Sequence, residues 1–172
     1  EPEVKACISL CALASSFQLD FPVALLKNSL GDYLKKYFSY PDIFSLTVDK
    51  GNTFILHYED HKTNPLVSIY HPVIAQHIVK ISDERQFDEF LISIANIIDL
   101  KQRLDSTFIF NLLILNGVNR ILDDFTHFTY DGLEKALLII KKKQPARGIM
   151  HHLARMYFKK NKQDVRIVPL LK

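Results

Sequence analysis

The chain has 172 residues and a formal net charge of +3, and nearly half of its residues are apolar. That suits one ordinary domain or two small ones with a real core, and no biased segment argues for long disorder. Charges interrupt every apolar run well before the roughly 18 residues of a membrane helix, and the start lacks the basic, apolar and small-residue blocks of a signal peptide.

The charge is unevenly spread. Residues 1–140 carry 12 basic and 18 acidic residues, whereas 141–172 carry ten basic residues against the single acid Asp164. The chain opens on Glu1 and closes on the apolar "VRIVPLLK". An apolar face that stops abruptly reads as an internal piece of a longer, cytoplasmic protein. Cys7 and Cys11, four apart in an apolar run, read as small buried hydrophobes in a reducing compartment rather than as metal ligands.

In chain order, "EVKACISLCALASSF" (3–17) has helical spacing at Val4, Cys7, Ile8, Cys11 and Leu13. A second helix is expected over 21–30, with Asp20 as N-cap, Pro22 near its first turn and Gly31 as its stop. A short third helix, "DYLKKYFSYP", is closed by Pro41. Two β-rich runs follow, Phe44–Val48 and Thr53–Glu59, joined at "DKGN", and then a third strand, Leu66–His71. Pro72 opens a helix with Val73, Ile74, Ile78 and Val79 on one side. The next helix has Ser82 as its expected N-cap, acids in its first turn, and Phe87, Phe90, Leu91, Ile94 and Ile97 as its apolar face. Further helices are expected over 104–116, stopped by Asn116-Gly117, over 131–142, and from Pro145 onward, with Asp164 capping one more.

Three helices followed by a β-ribbon are the arrangement of a winged helix-turn-helix. The expected fold is therefore mainly α with a small β-ribbon. A winged-helix-like module spans 1–81, and an all-α segment of antiparallel helix pairs, 82–172, leads into helical repeats.

Motifs for self-sufficient chemistry are missing. There is no G-x-x-x-x-G-K-[ST], G-x-S-x-G or H-E-x-x-H. The adjacent His151 and His152 point to different sides of a helix, and His57 and His61 bracket a strand end and a turn. Asp123-Asp124 and Glu59-Asp60 with His61 are adjacent loop charges with no second catalytic group placed beside them. The chain is therefore not expected to be an enzyme. Two features stand out. His71 lies where a strand meets a helix N-terminus, a place that favours anions, so it either donates to a phosphate or merely caps the junction. The basic tail, with Lys141, Lys142, Lys143, Arg147, Arg155, Lys159 and Lys160, offers candidate contacts to nucleic acid or an acidic partner. Its other explanation is a solvated repeat face.

"IYHPVIAQHIV" after a β-ribbon resembles the end of the winged-helix module in STAND-type (signal-transduction) NTPases. The order of "HPVIAQHIV" and "ARGIMHHLARMYFKKNKQD" is similar to that in vertebrate antiviral proteins with a sterile-alpha-motif domain and in bacterial defence STAND proteins. The resemblance implies a non-catalytic relay between an upstream nucleotide-binding domain and downstream tetratricopeptide-like repeats in innate antiviral defence. It implies ATP or ADP as the cofactor of the parent protein rather than of this segment. His71 would be a phosphate contact, and Leu153, Ala154, Tyr157 and Phe158 would be repeat-packing residues. An oligomer on activation is implied, and no membrane. The alternative is a nucleic-acid-binding winged helix with a basic tail. Its recognition region, "DYLKKYFSYPD", offers only Lys35 and Lys36, and its wing loop only Lys50.

Overall fold

The computed structural model describes residues 2–37, 56–59, 65–118, 128–145 and 147–171. Phe44–Val48, the turn at 49–52, His61 and the Asp123-Asp124 pair lie outside them. The described chain is mainly helical with a small antiparallel sheet.

Helix α1 (Pro2–Ser16) is apolar nearly all round, so it is buried on most of its surface. Ala6, Cys7, Leu10, Cys11, Ala12, Leu13 and Ala14 are all closed to solvent. The helix ends without glycine. Gln18 takes a left-handed φ of 59°, while its N–H reaches the Ser15 carbonyl and the Leu19 N–H reaches the Ala14 carbonyl, both at 3.0 Å. This is a Schellman closure carried by a residue with a Cβ, at a conformational cost that glycine would not incur. Gln18→Gly is therefore expected to stabilise the protein by about 0.5–1 kcal/mol, read as a rise in the midpoint of a urea melt. A lower midpoint would contradict it.

Strand β1 (Phe21–Pro22) leads straight into α2 (Val23–Tyr37). Strands β2 (Leu56–Glu59) and β3 (Leu66–Ile69) form an antiparallel pair with Leu56 opposite Ile69 and Glu59 opposite Leu66. On its other edge β3 pairs with β1, Phe21 opposite Val67, giving the order β1-β3-β2. Pro22 therefore closes an edge strand, where its missing N–H costs nothing, rather than sitting in the first turn of α2. The Val23 N–H donates to the Pro65 carbonyl at 3.0 Å. Gly31 does not stop α2, which runs on through residues 32–37 of the segment expected as a separate third helix; the stop expected at Pro41 lies outside the described residues. A mid-helix glycine costs about 1 kcal/mol, and burial of Leu25, Leu26 and Leu30 on the same helix outweighs it.

Helix α3 (Pro72–Ile81) packs on α1, and α4 (Glu84–Ile97) packs between α2 and the later helices. Between them Ser82 closes α3 instead of opening α4. Its N–H bonds the Val79 carbonyl, and its hydroxyl donates to the Ile78 carbonyl at 2.8 Å. Having spent its proton there, Ser82 Oγ can only accept from Ser9 Oγ, 3.1 Å away. The cap of α4 passes to Asp83, whose carboxylate accepts from the Arg85 N–H at 2.9 Å. Phe87, Phe90, Leu91 and Ile94 form the buried face of α4 as its periodicity predicts.

Helix α5 (Arg103–Phe110) continues as a wider π-helical stretch, Asn111–Val118, whose backbone passes through the expected stop at Asn116-Gly117. The wider turn presents the buried run Leu112, Leu113 and Ile114 round a broader arc. Helices α6 (Tyr130–Lys143) and α7 (Arg147–Lys160) are antiparallel neighbours, since Lys160 at the end of α7 meets Asp131 at the start of α6. The short α8 (Ile167–Leu171) packs against α7, with Leu170 buried. The boundary expected at 81/82 falls in the link between α3 and α4. One core runs across it, with the Phe21 and Phe108 rings 4.5 Å apart and those of Phe17 and Phe128 5.9 Å apart.

Candidate functional site

His71 stands between β3 and α3 in extended conformation, φ −130° and ψ 126°. Pro72 follows at the first helical position, where its fixed φ and missing N–H suit a helix start. The Val73 N–H donates to His71 Nδ1 at 3.2 Å, and the Ala75 N–H to the His71 carbonyl at 3.1 Å. The imidazole is thus an N-cap. Capping does not use up the ring: an imidazole that accepts at Nδ1 carries its proton on Nε2. His71 is exposed, so that second nitrogen keeps a donor available.

The helix that His71 opens is apolar on two sides. Ala75 and Val79 are buried, and Ile78 is partly so, against α1. Val73 and Ile81 are 64% and 66% exposed, and Tyr70 and Ile74 are exposed with them. This corrects the expectation that Val73 and Ile74 share the core side with Ile78 and Val79. Positions 75, 78, 79 and 82 make one helical stripe and positions 70, 73, 74, 77 and 81 the other; only the first faces α1. The outer stripe, Tyr70, Val73, Ile74, His77 and Ile81, therefore leaves a run of apolar side chains open beside the capping histidine. Contiguous exposed apolar surface of this kind marks interaction sites more often than isolated exposed residues do.

The seven basic candidates do not act alike. Lys143 Nζ donates to the carbonyls of Asn96 and Ile98, the latter at 2.9 Å, and so closes the end of α4. Burial lowers its pKa, an effect that Asp99 opposes. Lys160 pairs with Asp131 at 3.6 Å and lies 4.7 Å from the centre of the Tyr130 ring. Both lysines thus serve contacts within the fold. Lys141 and Lys142 sit in the last turn of α6, where cations favour the helix dipole. Arg147 is the first residue of α7. Arg155 and Lys159 face outward and share a groove with Phe158 and Lys162. Arg155 reaches toward His152 Nδ1 at 3.5 Å, and burial, then Arg155, then His151, lowers the His152 pKa.

Sequence reasoning overlooked Arg166, which ties α8 to α6 and α7. Its guanidinium lies 3.9 Å from the centre of the Tyr157 ring and bonds Glu134 at 2.7 Å and Asp164 at 2.8 Å. Burial, with a bond to Glu134, pushes the Tyr157 phenol up to about 12. Burial, then Glu134, also raises the pKa of Tyr130, whose hydroxyl has no hydrogen-bond partner among the described residues. Part of the acidic complement to the basic tail is thus supplied by α6 itself, through Asp131 and Glu134. A signal existed in the sequence, because Asp131 and Glu134 fall on adjacent turns of one helix face.

Cys7 and Cys11 are buried free thiols, and a mutual hydrogen bond, then burial, pushes the Cys11 pKa up. Among the described residues no group of three or more His, Cys, Asp or Glu is placed to hold a metal ion, and no helix is long and apolar enough to cross a membrane. Comparison with protein-family models, with curated proteins and with solved structures finds no match to the chain.

Proposed function

We propose that this chain is a non-catalytic switch and docking segment of a larger cytoplasmic STAND-type NTPase in antiviral defence. In this proposal a winged-helix-like module receives the nucleotide-binding domain on the outer face of α3, and the helices after it lead into a helical-repeat sensor. The observation that carries the proposal is the open apolar stripe of α3 lying directly beside His71. A capping histidine on a sealed core helix would need no such surface. Support for the winged-helix arrangement comes from β1, which lies between α1 and α2 and clamps the ribbon back onto them in the order β1-β3-β2. The antiparallel α6 and α7, followed by α8, are compatible with the first pair of a repeat array.

In the resting state His71 Nε2–H donates to a phosphate oxygen of bound ADP, while Nδ1 keeps its cap. The domain that holds the nucleotide covers Tyr70, Val73, Ile74 and Ile81. Exchange of the nucleotide then changes the contact at His71 and biases the docked arrangement, as a two-state switch requires.

His71→Asp separates the two roles, because aspartate is among the best N-caps but an ionised carboxylate cannot donate to phosphate. In the full-length protein this change is expected to leave the melting temperature in place and to speed ADP release by about tenfold or more, the worth of one charge-assisted hydrogen bond. Unchanged ADP retention in the variant would remove the proposed phosphate contact.

A further inference from the structure

We infer that α8 is a strap that lifts off α6 and α7 while the rest of the fold stays closed, and that Arg166 is its fastener. The inference stands apart from the nucleotide reading, since it concerns contacts among α6, α7 and α8 alone. Little in α8 itself holds it down. Pro169, in the middle of the helix, brings no N–H to it. Val165 and Val168 are 84% and 60% exposed, and the apolar hold on this stretch comes from Leu170, which is buried, and Ile167, which is partly so. The turn before α8 bonds to itself. The Asp164 N–H donates to the Asn161 carbonyl at 3.0 Å, the Gln163 N–H to Asn161 Oδ1 at 3.1 Å, and the Ile167 N–H to the Asp164 carbonyl at 3.1 Å. These bonds shape the turn but tie it to no other helix.

The polar tie runs through Arg166. Its guanidinium lies over the Tyr157 ring of α7, and its Nη1 donates to Glu134 Oε1 of α6 at 2.7 Å. Its Nε and Nη2 donate to the two carboxylate oxygens of Asp164, at 3.0 Å and 2.8 Å. Asp164 thus sets the plane of the guanidinium from within the strap, while Tyr157 and Glu134 receive it on the body of the fold. The two halves of the clasp differ in burial. Tyr157 is buried and the Glu134 side chain is nearly so, whereas the Arg166 side chain is 48% exposed. A receiving site built into the seam of two helices therefore holds a cation that water reaches. An ion pair so open is weakened by salt and is modest in strength.

Opening is therefore local. With α8 lifted, α7 keeps its contacts with α6 and with the π-helical stretch, and the pair of Lys160 and Asp131 stays in place. What changes is one face. The Tyr157 ring loses its cover and the Glu134 carboxylate loses its cation. The chain then has a closed and an open form that differ in a single surface, separated by far less than global unfolding.

The test uses the full chain carrying Leu170→Cys and follows the reaction of its thiols with an aromatic disulfide reagent. Cys7 and Cys11, fully closed in α1, report opening of the core, and the thiol introduced at position 170 reports the strap. Position 170 is expected to react at least about 100-fold faster than Cys7 and Cys11. Adding Arg166→Gln should speed it a further five- to tenfold or so, the worth of the lost ion pair and ring contact. Adding Arg166→Lys, which keeps the charge but not the planar fork, should speed it about two- to threefold. A rise in salt from about 0.05 M to about 0.5 M should act in the same direction, about twofold or more. Cys7 and Cys11 should react at one rate throughout. Because Leu170→Cys trims the apolar anchor, amide exchange of residues 167–171 is measured in the chain that keeps Leu170, where Arg166→Gln should again speed exchange about five- to tenfold. The inference is overturned if position 170 reacts no faster than Cys7 and Cys11, which would mean that α8 leaves only when the core opens. It is equally overturned if Arg166→Gln leaves amide exchange of 167–171 unchanged, since Arg166 would then fasten nothing.

Discussion

Gly132→Ala is expected to destabilise the protein by about 2–4 kcal/mol, although alanine is the better helix former by about 1 kcal/mol. Gly132 lies in the first turn of α6, buried against α4. A Cβ built there would lie 2.1 Å from Asp88 Cγ and 2.6 Å from Asp88 Cβ, distances that no packing tolerates. The Asp88 side chain cannot simply swing aside. Its carboxylate accepts from the Thr129 N–H at 2.9 Å and from the Thr129 hydroxyl, and Thr129 Oγ1 in turn accepts from the Gly132 N–H at 3.1 Å. One carboxylate on α4 thus holds the residue that caps α6, and glycine at position 132 is what lets the two helices come close enough. The added methyl either forces α6 away from α4 or dislodges Asp88 and costs the cap, worth about 1 kcal/mol. Urea denaturation of Gly132→Ala, Asp88→Gly and the double variant separates these. Adding Gly132→Ala to Asp88→Gly should cost less than about 0.5 kcal/mol, because both the clashing carboxyl group and the Cβ of residue 88 are gone. A single Gly132→Ala variant as stable as the unchanged protein would refute the close approach.

The second large effect concerns α3, where two substitutions of the same kind are expected to part. Ala75→Asp places a carboxylate in a fully closed site between α3 and α1 and should cost about 3 kcal/mol or more, from burial of an unpaired charge. Val73→Asp, two residues earlier on the same helix, should change stability by less than about 0.5 kcal/mol, because position 73 already faces solvent. It also adds an acid to the first turn, which the helix dipole favours. Thermal melts followed by circular dichroism read both. Equal destabilisation by the two changes would place Val73 in the core and remove the docking face from the account.

That contrast also shows where sequence reasoning reached its limit. The helical period of "PVIAQHIVKI" is plain, and Pro72 fixes where the helix starts. What periodicity cannot supply is the side that another element covers, when apolar residues occupy both. The partner that decides is α1, some 60 residues earlier in the chain. The helices at α4, α6 and α7 were legible because each has one dominant apolar stripe, and α1 because its apolar residues recur at helical spacing. Ser82 and Asp83 compete for one cap, and only the tertiary contact of Ser82 with Ser9 favours Asp83. Gly31 and Asn116-Gly117 are stop signals whose local preference is overridden by burial of the flanking leucines. Strand β1 is two residues long and exists only through its pairing with β3, so no local pattern could announce it.

The candidate sites divide in the same way. His71 was legible, because a histidine between a strand and a proline-opened helix has few places to go. Capping was one of the two roles its position allowed, and the Val73 N–H fulfils it; that Tyr70 and Ile81 beside it lie open was not legible. The basic tail was legible as composition and misleading as a surface. Lys143 and Lys160 spend their charge on the end of α4 and the start of α6, whereas Lys162, which sequence reasoning did not single out, lines the groove with Phe158.

The central claim is that the outer stripe of α3, with His71 at its head, is an interface governed by nucleotide. Oxidative footprinting of the full-length protein tests it directly, since Tyr70 and His71 both carry reactive rings. Tyr70 and His71 are expected to label slowly with ADP bound and fast once the nucleotide is removed, while Phe158 labels alike in both states. Equal labelling of Tyr70 and His71 in the two states would contradict it.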